Sequence, residues 1–478
     1  MGESLRGILE LNALFLLAGL GLLWGVRGWS SLLDLLESLG LALMLGLSAV
    51  TMLATLILVA GGGLSALTVA VVCVALFAAG GALALAARRP LPSVFGRLPG
   101  RSAAAIAAAA AAIATVAVLV ALFQLARIQP LGGGDSWEFW VPKAKVIYFD
   151  RGIDNPLFTR FAGPRYPLLV PALQAMDFRF MRSAFAPELA VQYWLLFVGF
   201  VFSAAALLRR LVPAWIAWLF VALTAVIPQL DYRLLNAQAD WTLDLLYSLA
   251  ALLAVCWLHR RERWLLVAAG IVLSAVIATK QEGLLLVGCL GAGIAAATLR
   301  SWRSTWPQLG AVGALAYTLN LPWRFWWASR HLVVAVPTSG VGSLLRDRSR
   351  IWPSLELVLR LLFSTSDWLV LVPLALTAAA ACLTIGGSAR ETAVLYLVTC
   401  AAAVCGFTWI LWTEASLPLN DQQSSTPIPR VVGSIVLLSA VLAPLLIQPL
   451  LERAQPRRQP PEARDVPDPD PDRRAAEA

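Results

Sequence analysis

Between Gly132 and Arg182 the chain reads GGGDSWEFWVPKAKVIYFDRGIDNPLFTRFAGPRYPLLVPALQAMDFRFMR, gathering Asp135, Glu138, Lys143, Lys145, Arg165 and Tyr166 in one polar stretch. A carboxylate there can take a proton from a hydroxyl or hold a cation, and guanidinium groups can grip a phosphate bidentately. Asp135 and Glu138 stand three residues apart and share a face if the segment is helical. The same Gly-Gly-Gly-Asp-x-x-Glu spacing also describes a helix N-terminus closed by a capping box, so both readings stay open. Further on, NAQADWTLDLLY carries Asp240, which could cap a helix, and Asp244 one turn deeper. A carboxylate at that depth is costly unless it lines water or meets a cation. In ATKQEGLLL, Lys280 and Glu282 flank a turn that Gly283 suits, either as a local ion pair or with Lys280 facing an anionic group. LPWRFWWASRHL supplies Arg324, Arg330 and His331 among tryptophans, and TPIPR supplies Arg430. Each could be an interfacial anchor; several cations converging on one cavity suit a phosphate.

The elements that must position these groups are apolar. Of 478 residues, 59% are hydrophobic and 14% charged, against about 25% charged in a soluble domain. A bilayer core roughly 30 Å thick needs about 20 apolar residues per helix, and windows of that length recur along nearly the whole chain. They predict spans near 7 to 27, 36 to 60, 64 to 87, 104 to 127, 187 to 208, 212 to 230, 240 to 258, 308 to 322, 367 to 385, 392 to 412 and 431 to 450. The stretch 264 to 298 is too long for one span and is interrupted by Lys280, Gln281 and Glu282, so it reads as two short helices. The fold class expected is an all-α polytopic membrane protein with about thirteen transmembrane helices. Ser136 to Phe149 predicts an amphipathic helix with Trp137, Trp140, Val141 and Ala144 on one face, and a second follows Pro167 with Leu168, Leu169, Ala172 and Ala175 inward. The two are expected to lie on the membrane as a roof over a cavity.

The net charge of +9 does not indicate nucleic acid, because the basic residues sit in short loops rather than along one soluble face. Arg27, Arg88, Arg89, Arg97, Arg101, Arg209, Arg210, Arg260, Arg261, Arg263, Arg300, Arg303 and Arg390 fall on one set of loops, against Arg233, Lys280 and Arg430 on the other. By the positive-inside rule the first set is cytoplasmic and the loops 132 to 182 and 323 to 366 face outward. All six cysteines fall in apolar spans, so neither a disulfide framework nor a zinc site is implied. Residues 1 to 27 lack a basic n-region and are expected to be a first span rather than a removable signal. The Pro, Arg and Asp rich tail 452 to 478 is expected to be disordered in the cytoplasm. No internal repeat or dinucleotide fingerprint is present.

Taken in order, GDSWEFWVPKAKVIY, RYPLLVPALQA, NAQADWTLDLLYSLAA, ATKQEGLLL and LPWRFWWASRHL make residues 104 to 451 resemble the GT-C membrane glycosyltransferases, in particular bacterial family 39-like, dolichyl-phosphate-mannose-protein mannosyltransferase-like proteins. The resemblance implies a GT-C-like catalytic module in 104 to 451 with its outer loop at 128 to 186; the helices and basic cytoplasmic loop of 1 to 103, poor in polar residues that could act, lie outside it and read as accessory. The resemblance also implies inverting transfer of a sugar from a polyprenyl-phosphate donor to a glycan, lipid or protein acceptor on the outer face of the cytoplasmic membrane. The family's catalytic carboxylate maps to Asp135 and a second acidic position to Asp240. The usual adjacent acidic pair is replaced here by Asp135 and Glu138. Lys143, Arg165, Tyr166, Lys280, Glu282, Arg324, His331 and Arg430 are the candidates for binding substrate and donor phosphate. No cofactor is required; a divalent cation on Asp135, Asp240 or Glu282 is compatible with the sequence. The alternative is a lipid or solute transporter or flippase without covalent chemistry, which usually shows paired repeats and midplane charges. A third option is a scaffold subunit of an envelope-assembly complex.

Overall fold

The computed structural model describes residues 2–89, 92–93, 102–129, 131–132, 134–161, 163–332, 348–413 and 432–454. Arg97, Arg101, Arg430 and the tail beyond 454 lie outside the described residues. Helices make up the architecture: α1 Gly2–Val26, α2 Leu39–Val59, α3 Ala66–Ala86, α4 Ala103–Ile128, α5 Val141–Asp150, α6 Leu169–Met181, α7 Leu189–Leu208, α8 Ala214–Ala225 and α9 Ala239–Arg260. They continue as α10 Arg263–Thr279, α11 Gln281–Ala297, α12 Trp302–Thr318, α13 Leu321–Ser329, α14 Ile351–Leu362, α15 Leu371–Cys382, α16 Gly387–Thr413 and α17 Gly433–Ala454. Serines start several of them: Ser65 accepts from Thr68 N at 3.0 Å and Ser102 from Ala105 N at 3.2 Å, each satisfying a donor that the first turn leaves open.

The count of about thirteen spans is corrected. Eight described helices are long and apolar enough to cross a membrane, or up to ten if each of two bent helix pairs, with bends of 76° and 111°, counts as one span. The difference arises because hydropathy windows measure composition and are blind to helix continuity. The window at 212 to 230 yields only the 12-residue α8, since Pro228 disfavours helical backbone just before it. The stretch 264 to 298 does divide into two helices, α10 and α11, of 17 residues each.

The first amphipathic segment passes through a π-helical stretch, Ser136–Trp140, before α5, and Trp140, Val141 and Ala144 are buried while Trp137 stays 44% exposed. The second, α6, differs from a surface roof. Every residue from Leu169 to Phe178 is buried, because α1, α2 and α5 cover it.

Residues 2 to 87 share one core with the rest. The hydrogen bond from Asn12 Nδ2 to Gln192 Oε1, 2.5 Å, ties α1 to α7, and Gly7 lies against the backbone of Phe180 and Met181 at the end of α6. Where α1 crosses α2, Gly19 and Gly46 meet backbone to backbone with no room for a Cβ, the small-residue contact by which helices associate in lipid.

The interhelical loops sort to two ends. At one, Arg209 bonds Glu37 and Arg210 bonds Glu262, both at 2.8 Å, and the guanidinium groups of Arg27 and Arg210 flank the Trp264 ring at 5.2 and 5.1 Å. At the other, Leu64 N donates to Arg151 O at 2.8 Å, Arg179 Nε to Leu64 O at 3.0 Å, and Arg330 pairs with Asp154 at 2.7 Å. A cysteine at exposed Arg160, at the second end, should react with an impermeant maleimide in intact cells, whereas one at exposed Ser304, at the first, should react only after permeabilisation. Labelling of both from the same side would overturn the two-ended arrangement.

Candidate functional site

The site is built around a break. Between α10 and α11 the backbone of Lys280 is extended, φ −154° and ψ 161°, which turns its side chain in among the helices. Its Nζ donates to Asp240 Oδ1 at 2.8 Å and lies 3.1 Å from Glu282 Oε1. Lys280 and Asp240 are only 5% and 3% exposed, so the cation is compensated by carboxylates and not by water. One turn along α9, Asp244 pairs with Arg233, whose guanidinium lies 4.8 Å from the Trp368 ring. Gly433, at the start of α17, sits so close to this pair that a Cβ would strike both Arg233 Nη1 and Asp244 Oδ2. Asp240, Asp244, Lys280 and Glu282 thus face one another in a narrow space closed by Leu286 and Phe407.

The first polar loop is fastened onto the NAQAD segment. Ser136 donates to the carbonyl of Asn236, and Gln174 Nε2 donates to Ala237 O at 3.1 Å. Asp135 has helical backbone, φ −55° and ψ −34°, and its side chain makes no cap hydrogen bond, so the capping reading of Asp135 has no bond to rest on. Glu138 is exposed. Tyr166 packs its ring 5.6 Å from Phe139 and 5.4 Å from Trp140. Burial raises its phenol well above the ordinary range; Glu282 adds to the rise, Lys280 opposes it, and Asp240 and Asp135 add less. Tyr166 is therefore the point within electrostatic reach of all four charged candidates.

Beside it lies a cavity of about 280 Å³ bounded by Arg165, Lys280, Asn320, Trp323, Arg324 and Trp327 among others. Arg165 Nε donates to Leu332 O at 2.6 Å while its guanidinium stacks 4.3 Å over Trp327, and its carbonyl accepts from Trp323 Nε1 at 3.4 Å. These bonds bring RYP and LPWRFWW into one wall. Arg324 lies 5.3 Å from the Tyr317 ring.

Two candidates are placed elsewhere. His331 is exposed, in left-handed backbone at φ 51°, and is not among the residues lining the cavity. Lys143 is 1% exposed and donates to Gly163 O at 2.5 Å, with Phe139 and Phe158 rings 5.7 and 5.9 Å away. It ties the loop together, and burial lowers its pKa from 10.5 to about 7. Among the described residues no group of three or more His, Cys, Asp or Glu side chains could hold a metal ion; Lys280 stands between Asp240 and Glu282 instead.

Sequence reasoning assigned Arg233 only an orienting charge and overlooked Asp177, a buried carboxylate on α6. The spacing Gln174-x-x-Asp177 inside an apolar helix was the available signal. Comparisons of the chain with protein-family models, with curated proteins and with solved structures found no match.

Removing one partner of a buried pair leaves the other charge uncompensated, at a cost of about 3 to 5 kcal/mol. Arg233→Met should therefore lower the thermal midpoint sharply, and adding Asp244→Asn to it should restore most of the loss. A double variant no better than the single one would show that the pair contributes nothing of its own.

Lys143 gives a pH signature. The unfolded chain holds the lysine proton up to a pKa of 10.5, the folded chain only up to about 7, so the unfolded state binds more protons in that window. The stability that the neutral amine contributes rises with pH across it and is lost as pH falls toward 7. The thermal midpoint of the wild type, relative to Lys143→Met, should climb over that range; parallel pH profiles would contradict the lowered pKa.

Proposed function

We propose that the chain is a membrane-embedded glycosyltransferase that moves a sugar, with inversion, from a polyprenyl-phosphate donor to a hydroxyl acceptor. The observation that carries this reading is the basic, tryptophan-walled cavity at Arg165, Lys280 and Arg324, adjoining Tyr166, which lies within electrostatic reach of Asp135, Asp240 and Glu282. Such a neighbourhood suits a donor with an anionic phosphate at one end of its reacting bond and a sugar at the other.

In this scheme the acceptor oxygen forms a bond to the anomeric carbon while the bond from that carbon to the phosphate oxygen breaks. The lipid phosphate departs with the electron pair, and Asp135 takes the acceptor's proton as general base. A positioned base of this kind contributes about 10² to 10⁴ in rate. Arg165 and Arg324 meet the charge that develops on the leaving phosphate, where preorganised donors have their largest effect. Lys280 is already compensated by two carboxylates, so its part is to fix the cavity wall. The resemblance to the GT-C enzymes and the placement of these groups at one end of the bundle both favour this reading. The positive-inside rule puts that end outside the cytoplasmic membrane.

A transporter is the second reading, favoured by the two ion pairs buried among helices. Radiolabelled polyprenyl-phosphate sugar separates the two, since only a transferase releases lipid phosphate. Within the transferase reading, Asp135→Asn should keep expression and thermal midpoint near wild type and lower turnover by about 10² or more. Retained turnover in that variant would remove Asp135 as the base. Arg324→Met should weaken donor use by about 1.5 to 3 kcal/mol, the value of one hydrogen bond to a charged group; unchanged donor kinetics would make it an interfacial anchor.

A further inference from the structure

Asp177 is the least explained group in the molecule. It is 0% exposed, and neither carboxylate oxygen has a hydrogen-bond partner. Gln174, one turn earlier on the same face of α6, spends its amide N–H groups on Tyr193 Oη at 2.9 Å and Ala237 O at 3.1 Å, which leaves its Oε1 without a partner. Thr242 Oγ1, on α9, is likewise buried and without one. The Tyr193 hydroxyl, on α7, accepts from Gln174 at 2.9 Å, and Asp177 and Thr242 lie within electrostatic reach of it.

Among the described residues no cation answers this carboxylate. Arg179, the nearest basic residue along α6, turns the other way, toward Leu64 O and Tyr148 O. The neighbouring polar pair Asn12 and Gln192 bond each other. A buried carboxylate without a partner must be neutralised, by a proton or by a cation. A proton on Asp177 would cancel its charge, but one O–H serves at most one of the unmatched oxygens of Gln174 and Thr242 and leaves the other as it is. A bare cation between them satisfies all of these oxygens together, because each is a hard ligand that requires no hydrogen. One carboxylate balances one positive charge, whereas calcium would leave a charge over and takes six to eight oxygens.

We propose that Asp177, Gln174 and Thr242, with the Tyr193 hydroxyl, form a buried site for a small monovalent cation, for which sodium is the probe. The ion joins α6 to α7 and α9, and so holds the first polar loop against the NAQAD segment. The site is separate from the phosphate cavity and independent of the transferase reading.

The test uses the purified full chain, melted in sodium, potassium and choline chloride at equal ionic strength. Sodium should raise the thermal midpoint saturably above the other two salts. Asp177→Asn, which keeps the shape but not the charge, should melt at one temperature in all three. Equal midpoints for the wild type, or a sodium effect that survives Asp177→Asn, overturn the proposal. So does a midpoint that responds to acid and not to sodium, which identifies a proton on Asp177. Should Asp177→Asn not fold, Thr242→Val decides: the half-saturating sodium concentration should rise at least about tenfold, and an unchanged value overturns the site.

Discussion

A charge carried into an apolar helix bundle has to meet its opposite there, and the architecture of this protein follows from how Lys280 does so. A buried ammonium left without a partner would cost several kcal/mol in desolvation. Two carboxylates remove the problem: Asp240 reaches it from α9 and Glu282 from the first turn of α11. The geometry in turn demands the extended backbone at 280, and that break makes two helices of what hydropathy presents as one overlong apolar run. Ile277, Lys280, Gln281 and Leu284, flanking the same break, then face the cavity. One electrostatic requirement thus sets the helix boundary, the location of the cavity and part of its wall.

The surrounding helices keep this arrangement dry and fixed. α9 is buried from Ala239 through Trp257, so both of its carboxylates are held where only protein groups can answer them. The first three long helices belong to that enclosure. α1 and α2 cover α6, which in turn bonds the NAQAD segment through Gln174. Close approach between α1 and α2 depends on residues without side chains, as at Gly19 and Gly46, because in lipid the association rests on contact and not on the expulsion of water.

Local features were legible in the sequence; tertiary partners were not. Apolar windows located nearly every helix, and the division at Lys280 followed from three adjacent polar residues. Span number was misjudged because a window average does not register a proline stop such as Pro228 or a sharp bend between helices. Asp244 could be singled out as too deep to stand alone, but its partner Arg233 lies eleven residues back, across the turn that leads into α9, and nothing in the spacing selects it. Lys143 read as a substrate-binding candidate because it stands in a polar loop; the aromatic residues that enclose it come from both of its sequence flanks. Asp177 was masked by the apolar helix that carries it.

The same accounting of charges bears on what the cavity can accept. Lys280 brings a positive charge to the wall, but Asp240 and Glu282 already offset it, so its contribution to ligand binding is small. Arg165 and Arg324 stand differently, since the contacts they make are with a carbonyl oxygen and with the rings of Trp327 and Tyr317, which orient a guanidinium without neutralising it. The wall therefore retains net positive charge even though it adjoins a cluster rich in carboxylates. In the proposed transfer, a lipid-linked phosphate would meet these guanidinium groups with its anion and the tryptophans with its apolar chain.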